Sequence, residues 1–100
     1  MGFVVMPDET LEDLQLNGLF ILQKKDSFRF GMDAVLLSNF VTAGKGKNVL
    51  ELGTGTGIIP ILLSAKTKAG KIVGIEIQQE MADMARRSVE GNDLGDRIEI

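Results

Sequence analysis

The segment Val49-Leu50-Glu51-Leu52-Gly53-Thr54-Gly55-Thr56-Gly57 constrains this chain more than any other. A short apolar run stops on three glycines spaced two apart, and the apolar stretch from Ile58 to Ala65 follows at once. That order describes a buried strand, a tight turn and a buried helix. So tight a turn, open to close approach of a ligand, suits glycine, which has no Cβ. The start of the following helix aims unpartnered amide donors at whatever lies above the loop, and the missing Cβ atoms let a ligand approach the backbone. Pro60 falls in the first helical turn, where the amide donor has no intrahelical partner, so the helix tolerates it.

The pattern then repeats. Lys71-Ile72-Val73-Gly74-Ile75-Glu76-Ile77 is a second strand. Met81, Ala85 and Val89 mark one face of a helix from about Gln78 to Gly91, residues 92–97 form a turn, and Ile98-Glu99-Ile100 opens a third strand. Strands alternating with helices imply right-handed crossovers and a parallel sheet covered on both faces. The expected class is α/β and Rossmann-like, and three strands ending at Ile100 read as a truncated chain, because one sheet edge stays unpaired.

Upstream, residues 1–13 are mixed in character and expected to be partly mobile. Residues 14–22 read as a hairpin about Asn17-Gly18, a pair that tolerates the positive φ of a type I′ turn. Residues 24–27 form a polar turn and Phe28-Arg29-Phe30 a short strand. A helix over residues 34–41 takes Asp33 as its N-cap and Gly44 as its stop. Residues 1–44 are thus a hairpin and helix belonging to the same domain as the βαβαβ unit of residues 45–100. Ser88, Asn92 and Asp96 read as helix surface and turn chemistry, and Met6, Met32, Met81 and Met84 as core filler.

Composition removes several chemistries. The chain has no cysteine and no histidine, which excludes thiol catalysis, disulfides and Ser-His or Cys-His nucleophile pairs. No cluster of ligating residues suggests a metal. The net charge is -3, and the cations fall in scattered pairs such as Lys45 with Lys47 and Arg86-Arg87. These read as solvated surface rather than a phosphate-binding face. No apolar run approaches the ~20 residues of a membrane span, and the start lacks a basic signal-peptide region. A cytoplasmic protein is expected.

Spacing discriminates between ligands. The dinucleotide fingerprint Gly-x-Gly-x-x-Gly needs glycine three residues after Gly55, where Ile58 stands; the third glycine comes one residue early, at Gly57. A phosphate-binding P-loop fails because no Gly-Lys-Ser/Thr follows. Glu76 ends the second strand, 23 residues after Gly53. A carboxylate there can accept hydrogen bonds from both vicinal hydroxyls of an adenosine ribose. NAD shares that ribose, so Glu76 by itself specifies a nucleoside cofactor and no more.

Glu51-Leu52-Gly53-Thr54-Gly55-Thr56-Gly57 resembles motif I of the class I S-adenosylmethionine-dependent methyltransferases: an acidic residue, an apolar residue, then Gly-x-Gly-x-Gly. The resemblance implies that the glycine loop wraps the methionine and ribose end of S-adenosylmethionine, that Glu51 orients the methionine part, and that Thr54 and Ile77 belong to the same pocket. The stretch Phe28-Arg29-Phe30-Gly31-Met32-Asp33-Ala34-Val35-Leu36-Leu37 is similar to the segment before motif I in the bacterial tRNA1(Val) adenine-N6 methyltransferase subgroup, and Asn17-Gly18-Leu19 with Gln23 is similar to that subgroup's opening hairpin. By this likeness Phe30, Gly31 and Asp33 also line the cofactor pocket. The acceptor implied is the N6 amine of an adenine in tRNA.

No residue here is a candidate catalytic acid, base or nucleophile, as expected where a sulfonium carries the reactivity and the protein positions the partners. The Asn-Pro-Pro-Tyr motif with which relatives hold an exocyclic amine does not occur in these residues. Other readings stay open at this point: the same fold acting on a protein glutamine or a ribosomal guanine, an NAD-dependent oxidoreductase, or a non-catalytic cofactor-binding module.

Overall fold

The polar stretch Glu9-Thr10-Leu11-Glu12-Asp13 becomes a strand only because a partner is supplied nearby. In the computed structural model, which describes residues 2–25, 32–41 and 44–100, Glu9–Asp13 (β1) pairs antiparallel with Phe20–Lys24 (β2), Glu9 opposite Lys24 and Asp13 opposite Phe20. Asn17 and Gly18 adopt φ of 52° and 69°, and the Leu19 amide donates to Leu16 O at 3.0 Å. The expected positive-φ turn is therefore present. The ladder, however, lies further from it than residues 14–22 suggested, and it recruits Glu9–Asp13 from a stretch expected to be partly mobile.

Met32–Phe40 forms α1, so Asp33 lies inside its first turn rather than at the cap. The side chain of Asp33, and the whole of the Phe28–Phe30 strand with Gly31, lie outside what the structure describes. Lys66 reaches back to α1, donating to the Val35 carbonyl, Ser38 Oγ and Asn39 Oδ1.

The βαβαβ unit follows the expected order: Asn48–Leu52 (β3), Ile58–Lys66 (α2), Lys71–Ile75 (β4), Gln79–Gly91 (α3) and Ile98–Glu99 (β5). The three strands are parallel in the order β3-β4-β5, with Glu51 opposite Gly74 and Leu52 opposite Ile75. Ile72 and Ile98 of the sheet share one buried cluster with Ile61, Leu62 and Leu63 of α2, Val89 of α3, and Leu19 and Ile21 of the hairpin. Both helices thus pack on the same face. Two successive right-handed crossovers that extend a sheet in one direction place their helices on one side of it. The expectation of cover on both faces is not met among the described residues: Leu50 and Leu52 are 62% and 75% exposed on the other face.

The hairpin is fastened to α3 by side chains. The Leu22 amide donates to Ser88 Oγ at 2.9 Å; the Phe20 amide donates to Asn92 Oδ1 at 2.9 Å, and Asn92 Nδ2 donates to Phe20 O at 2.7 Å. Ser88 is fully buried. Ser88 is therefore not a surface residue, and Asn92, in the turn that ends α3, does more than turn: both stand in for a neighbouring strand along one edge of β2. Arg87 adds an ion pair to the buried Glu9 carboxylate, with Nη1 on Oε1 at 2.7 Å and Nη2 on Oε2 at 2.6 Å. Lys24 pairs with both Asp8 and Glu80. Of the expected core methionines, Met84 is fully buried and Met6 is exposed, because Met6 precedes the clamped strand.

Candidate cofactor site

The site lies where α/β sheets bind ligands, outside the carboxyl ends of the strands. Chain leaves β3 at Leu52 and enters α2 at Ile58; Gly53, Gly55 and Gly57 take φ of 67°, 59° and 88° on the way. The Thr54 amide donates to Ile75 O at 3.0 Å, carrying the β3–β4 ladder one step into the loop. The Gly57 amide donates to Thr54 O at 3.0 Å and closes the turn.

Gly55 and Gly57 serve different ends. A Cβ built on Gly55 would meet no protein atom within 4 Å, so its backbone faces open space on the ligand side. A Cβ on Gly57 would press on the Ala85 Cβ at 3.2 Å, so the third glycine lets the loop settle against α3.

Two carboxylates bracket the loop. Glu76 follows β4 directly, and the strand ends at Ile75 rather than Ile77. Its Oε1 accepts the Gly55 amide at 2.8 Å and its Oε2 accepts the Gln78 amide at 3.0 Å. Each oxygen keeps a second lone-pair direction, so the carboxylate can also accept from a pair of vicinal hydroxyls. Ile77, beside it, is 94% exposed.

Glu51 is half-buried on β3, and its Oε1 accepts the Thr54 hydroxyl at 2.5 Å. Burial pushes its carboxyl above the usual value; the Thr54 hydrogen bond opposes this, and the Glu76 charge adds to it. Thr54 can sit there only because Gly74 lies beneath it: a Cβ on Gly74 would come within 2.7 Å of Thr54 Oγ1 and 2.9 Å of Thr54 Cβ.

The structure thus brings together Glu51, Gly53, Thr54, Gly55, Gly57, Glu76 and Ile77 at one sheet end. It says nothing of the Phe30 and Gly31 backbone or the Asp33 side chain. Sequence reasoning passed over two residues of this site. Gly74 had a signal, a glycine in the middle of a strand, which marks a close approach of another group. Thr56 had none in its own neighbourhood: its hydroxyl accepts from Gln23 Nε2 at 3.0 Å, across 33 residues of chain. Among the described residues no group of side chains could hold a metal ion, and no helix is long and apolar enough to cross a membrane.

The residues present fit a nucleoside cofactor with a positively charged tail. The glycine loop has open backbone, the Glu76 carboxylate is oriented beside it by two backbone amides, and a second carboxylate, Glu51 near the end of β3, is bonded to the loop through Thr54.

Comparison with known proteins agrees with this geometry. The profile of the methyltransferase-domain family matches residues 49–100. The chain is 31% identical over 78 residues to a tRNA1(Val) (adenine(37)-N6)-methyltransferase of a Flavobacteriaceae bacterium, covering 78% of this chain and 34% of that protein. It is 31% identical over 85 residues to the Flavobacterium johnsoniae protein of the same name, covering 84% of this chain and 36% of that one. The chain therefore spans about a third of the length of these curated relatives. Among solved structures, M. jannaschii TYW2 in complex with AdoMet superposes with a TM-score of 0.75 at 16% identity, over 97% of this chain and 44% of that one. P. horikoshii TYW2 in complex with MeSAdo gives 0.73 at 17%, over 94% of this chain and 35% of that one. The chain belongs to the methyltransferase-domain family and has the Rossmann-like fold of S-adenosylmethionine-dependent methyltransferases.

Proposed function

We propose that these residues hold S-adenosylmethionine for methylation of an adenine N6 amine in tRNA. The observation that carries the cofactor half is the Glu76 carboxylate, bonded to the Gly55 amide at 2.8 Å with lone pairs left for a ribose. The acceptor half rests on the likeness to relatives named as tRNA1(Val) (adenine(37)-N6)-methyltransferases.

The bound cofactor supplies an electrophilic methyl group on a sulfonium. Glu76 accepts hydrogen bonds from the ribose hydroxyls, each charge-assisted bond contributing roughly 1.5–3 kcal/mol. The glycine loop gives the ligand close access to backbone amides. Glu51, held by Thr54, places negative charge beside the cationic methionine end. Ile77 offers an exposed apolar surface for a flat ring such as adenine. The likeness to the tRNA1(Val) subgroup assigns Phe30, Gly31 and Asp33 to the same cofactor site. The chain's part in catalysis is to fix the donor in position.

The test is methyl transfer by the purified protein to unmodified tRNA transcripts, read by mass spectrometry of nucleosides. N6-methyladenosine in the tRNA pool is the expected product. Methyl transfer to a protein glutamine or to guanine instead would replace the acceptor while leaving the cofactor reading intact.

A further inference from the structure

Gly-Thr-Gly-Thr-Gly contains two side-chain handles, and each is fastened to a different part of the molecule. Thr54 donates to Glu51 on the strand behind the loop. Thr56 accepts from Gln23, a residue only 1% exposed at the end of the hairpin strand β2. Gln23 directly follows Leu22, whose amide is bonded to the fully buried Ser88 of α3. The hairpin is pinned to α3 again by Asn92 and by the Arg87–Glu9 ion pair. Gln23 therefore extends from a braced element rather than from a loose one.

Glu76 holds the next residue along, through the Gly55 amide. The Gly55–Thr56 segment is thus held at its two ends, through the Gly55 amide and the Thr56 hydroxyl, by residues 21 and 33 positions away in the chain. Gly55 has no side chain and sits at φ 59°, so nothing of its own fixes its orientation. We propose that Gln23 is a positioning residue for the cofactor loop: through the Thr56 hydroxyl the hairpin sets the direction of the Gly55–Thr56 backbone before ligand arrives. The hairpin would then be part of the binding apparatus. Preordering the loop lowers the entropic cost of binding.

The assignment rests on the cofactor reading above and is tested by a double-mutant cycle on S-adenosylmethionine affinity, measured calorimetrically alongside thermal melting. Gln23→Ala and Thr56→Val should each raise the Kd roughly fivefold, the effect of losing one neutral hydrogen bond. The double variant should raise it by about the same factor rather than by the product. Thr56→Ser, which keeps the hydroxyl, should stay within about twofold of wild type. If Gln23→Ala fails to fold, the comparison of Thr56→Val with Thr56→Ser decides, and equal affinities for those two overturn the assignment. Additive losses in the cycle, or losses that track the melting temperature alone, overturn it as well while leaving the cofactor reading in place. Absence of S-adenosylmethionine binding by the wild-type protein would overturn both.

Discussion

The Glu76 carboxylate is bonded to the loop it serves: its Oε1 accepts the Gly55 amide at 2.8 Å, and its Oε2 accepts the amide of Gln78 at the start of α3 at 3.0 Å. The strand end, the glycine loop and the helix entrance are thereby joined through one side chain. A ribose bound there would meet a carboxylate whose rotamer is already set, so little side-chain entropy is lost on binding.

Glu76→Ala removes both the ribose acceptor and the loop contact. S-adenosylmethionine affinity should fall about tenfold or more, corresponding to one charge-assisted hydrogen bond. Glu76→Gln keeps a carbonyl acceptor for the Gly55 amide and should fall between the two. Calorimetric titration checks the order, and unchanged affinity in a folded Ala variant would remove Glu76 from the site.

Glu51 gives a prediction with a sign. Burial raises its pKa from the ordinary 4.5, against the Thr54 hydrogen bond and with the Glu76 charge. The folded state therefore binds more protons than the unfolded state between 4.5 and the raised value, and stability falls as pH rises through that window. Above it the cost of the buried charge is present in full. Glu51→Gln should raise the melting temperature of the cofactor-free protein at pH 7 and flatten its acid-side profile. The same change should weaken S-adenosylmethionine binding, because a cationic ligand loses its negative partner. Lower stability at pH 7 would contradict the account.

Gly74→Ala should destabilise the protein by about 1–3 kcal/mol, the usual cost of overpacking. The added Cβ would stand 2.7 Å from Thr54 Oγ1 and 2.9 Å from its Cβ, so Thr54 must leave the Glu51 carboxylate. Denaturant unfolding measures the loss, and cofactor affinity should fall with it.

Arg87→Ala should cost about 3 kcal/mol, since it strands the buried Glu9 carboxylate. The Arg87 hydrogen bond holds the Glu9 carboxyl below its ordinary 4.5 against the effect of burial, with help from the Met6 amide. The stability this pair contributes is present above 4.5 and is lost as pH falls through the lowered value. Acid unfolding monitored by circular dichroism should show the wild type losing that increment in acid and the variant lacking it at neutral pH.

What could be read ahead of the structure follows from the range of each interaction. The strands β3 and β4, the helix α2 and the glycine turn are written in local periodicity and composition, and they stand where expected within a residue or two. Asn17-Gly18 likewise announces its turn. The strand β1 is invisible locally, because Glu9-Thr10-Leu11-Glu12-Asp13 lacks strand-forming composition and is held by β2 and by Arg87 far along the chain. Ser88 and Asn92 look like ordinary polar helix residues until the hairpin is laid beside them; their partners are 66 and 72 residues distant. A separation of 33 residues likewise hid the bond between Gln23 and Thr56, although Gln23 itself belongs to the stretch that resembles the subgroup's hairpin. In the site, the residues proposed to meet ligand are recognisable by type and spacing, while those that hold them in place depend on tertiary contacts.

The central claim is that this loop and Glu76 form a site for S-adenosylmethionine rather than for a nicotinamide dinucleotide. The most direct test is calorimetric titration of the purified protein with each cofactor under identical conditions. The account predicts saturable binding of S-adenosylmethionine that Glu76→Ala weakens, with no comparable binding of NAD. Binding of NAD without binding of S-adenosylmethionine would contradict it.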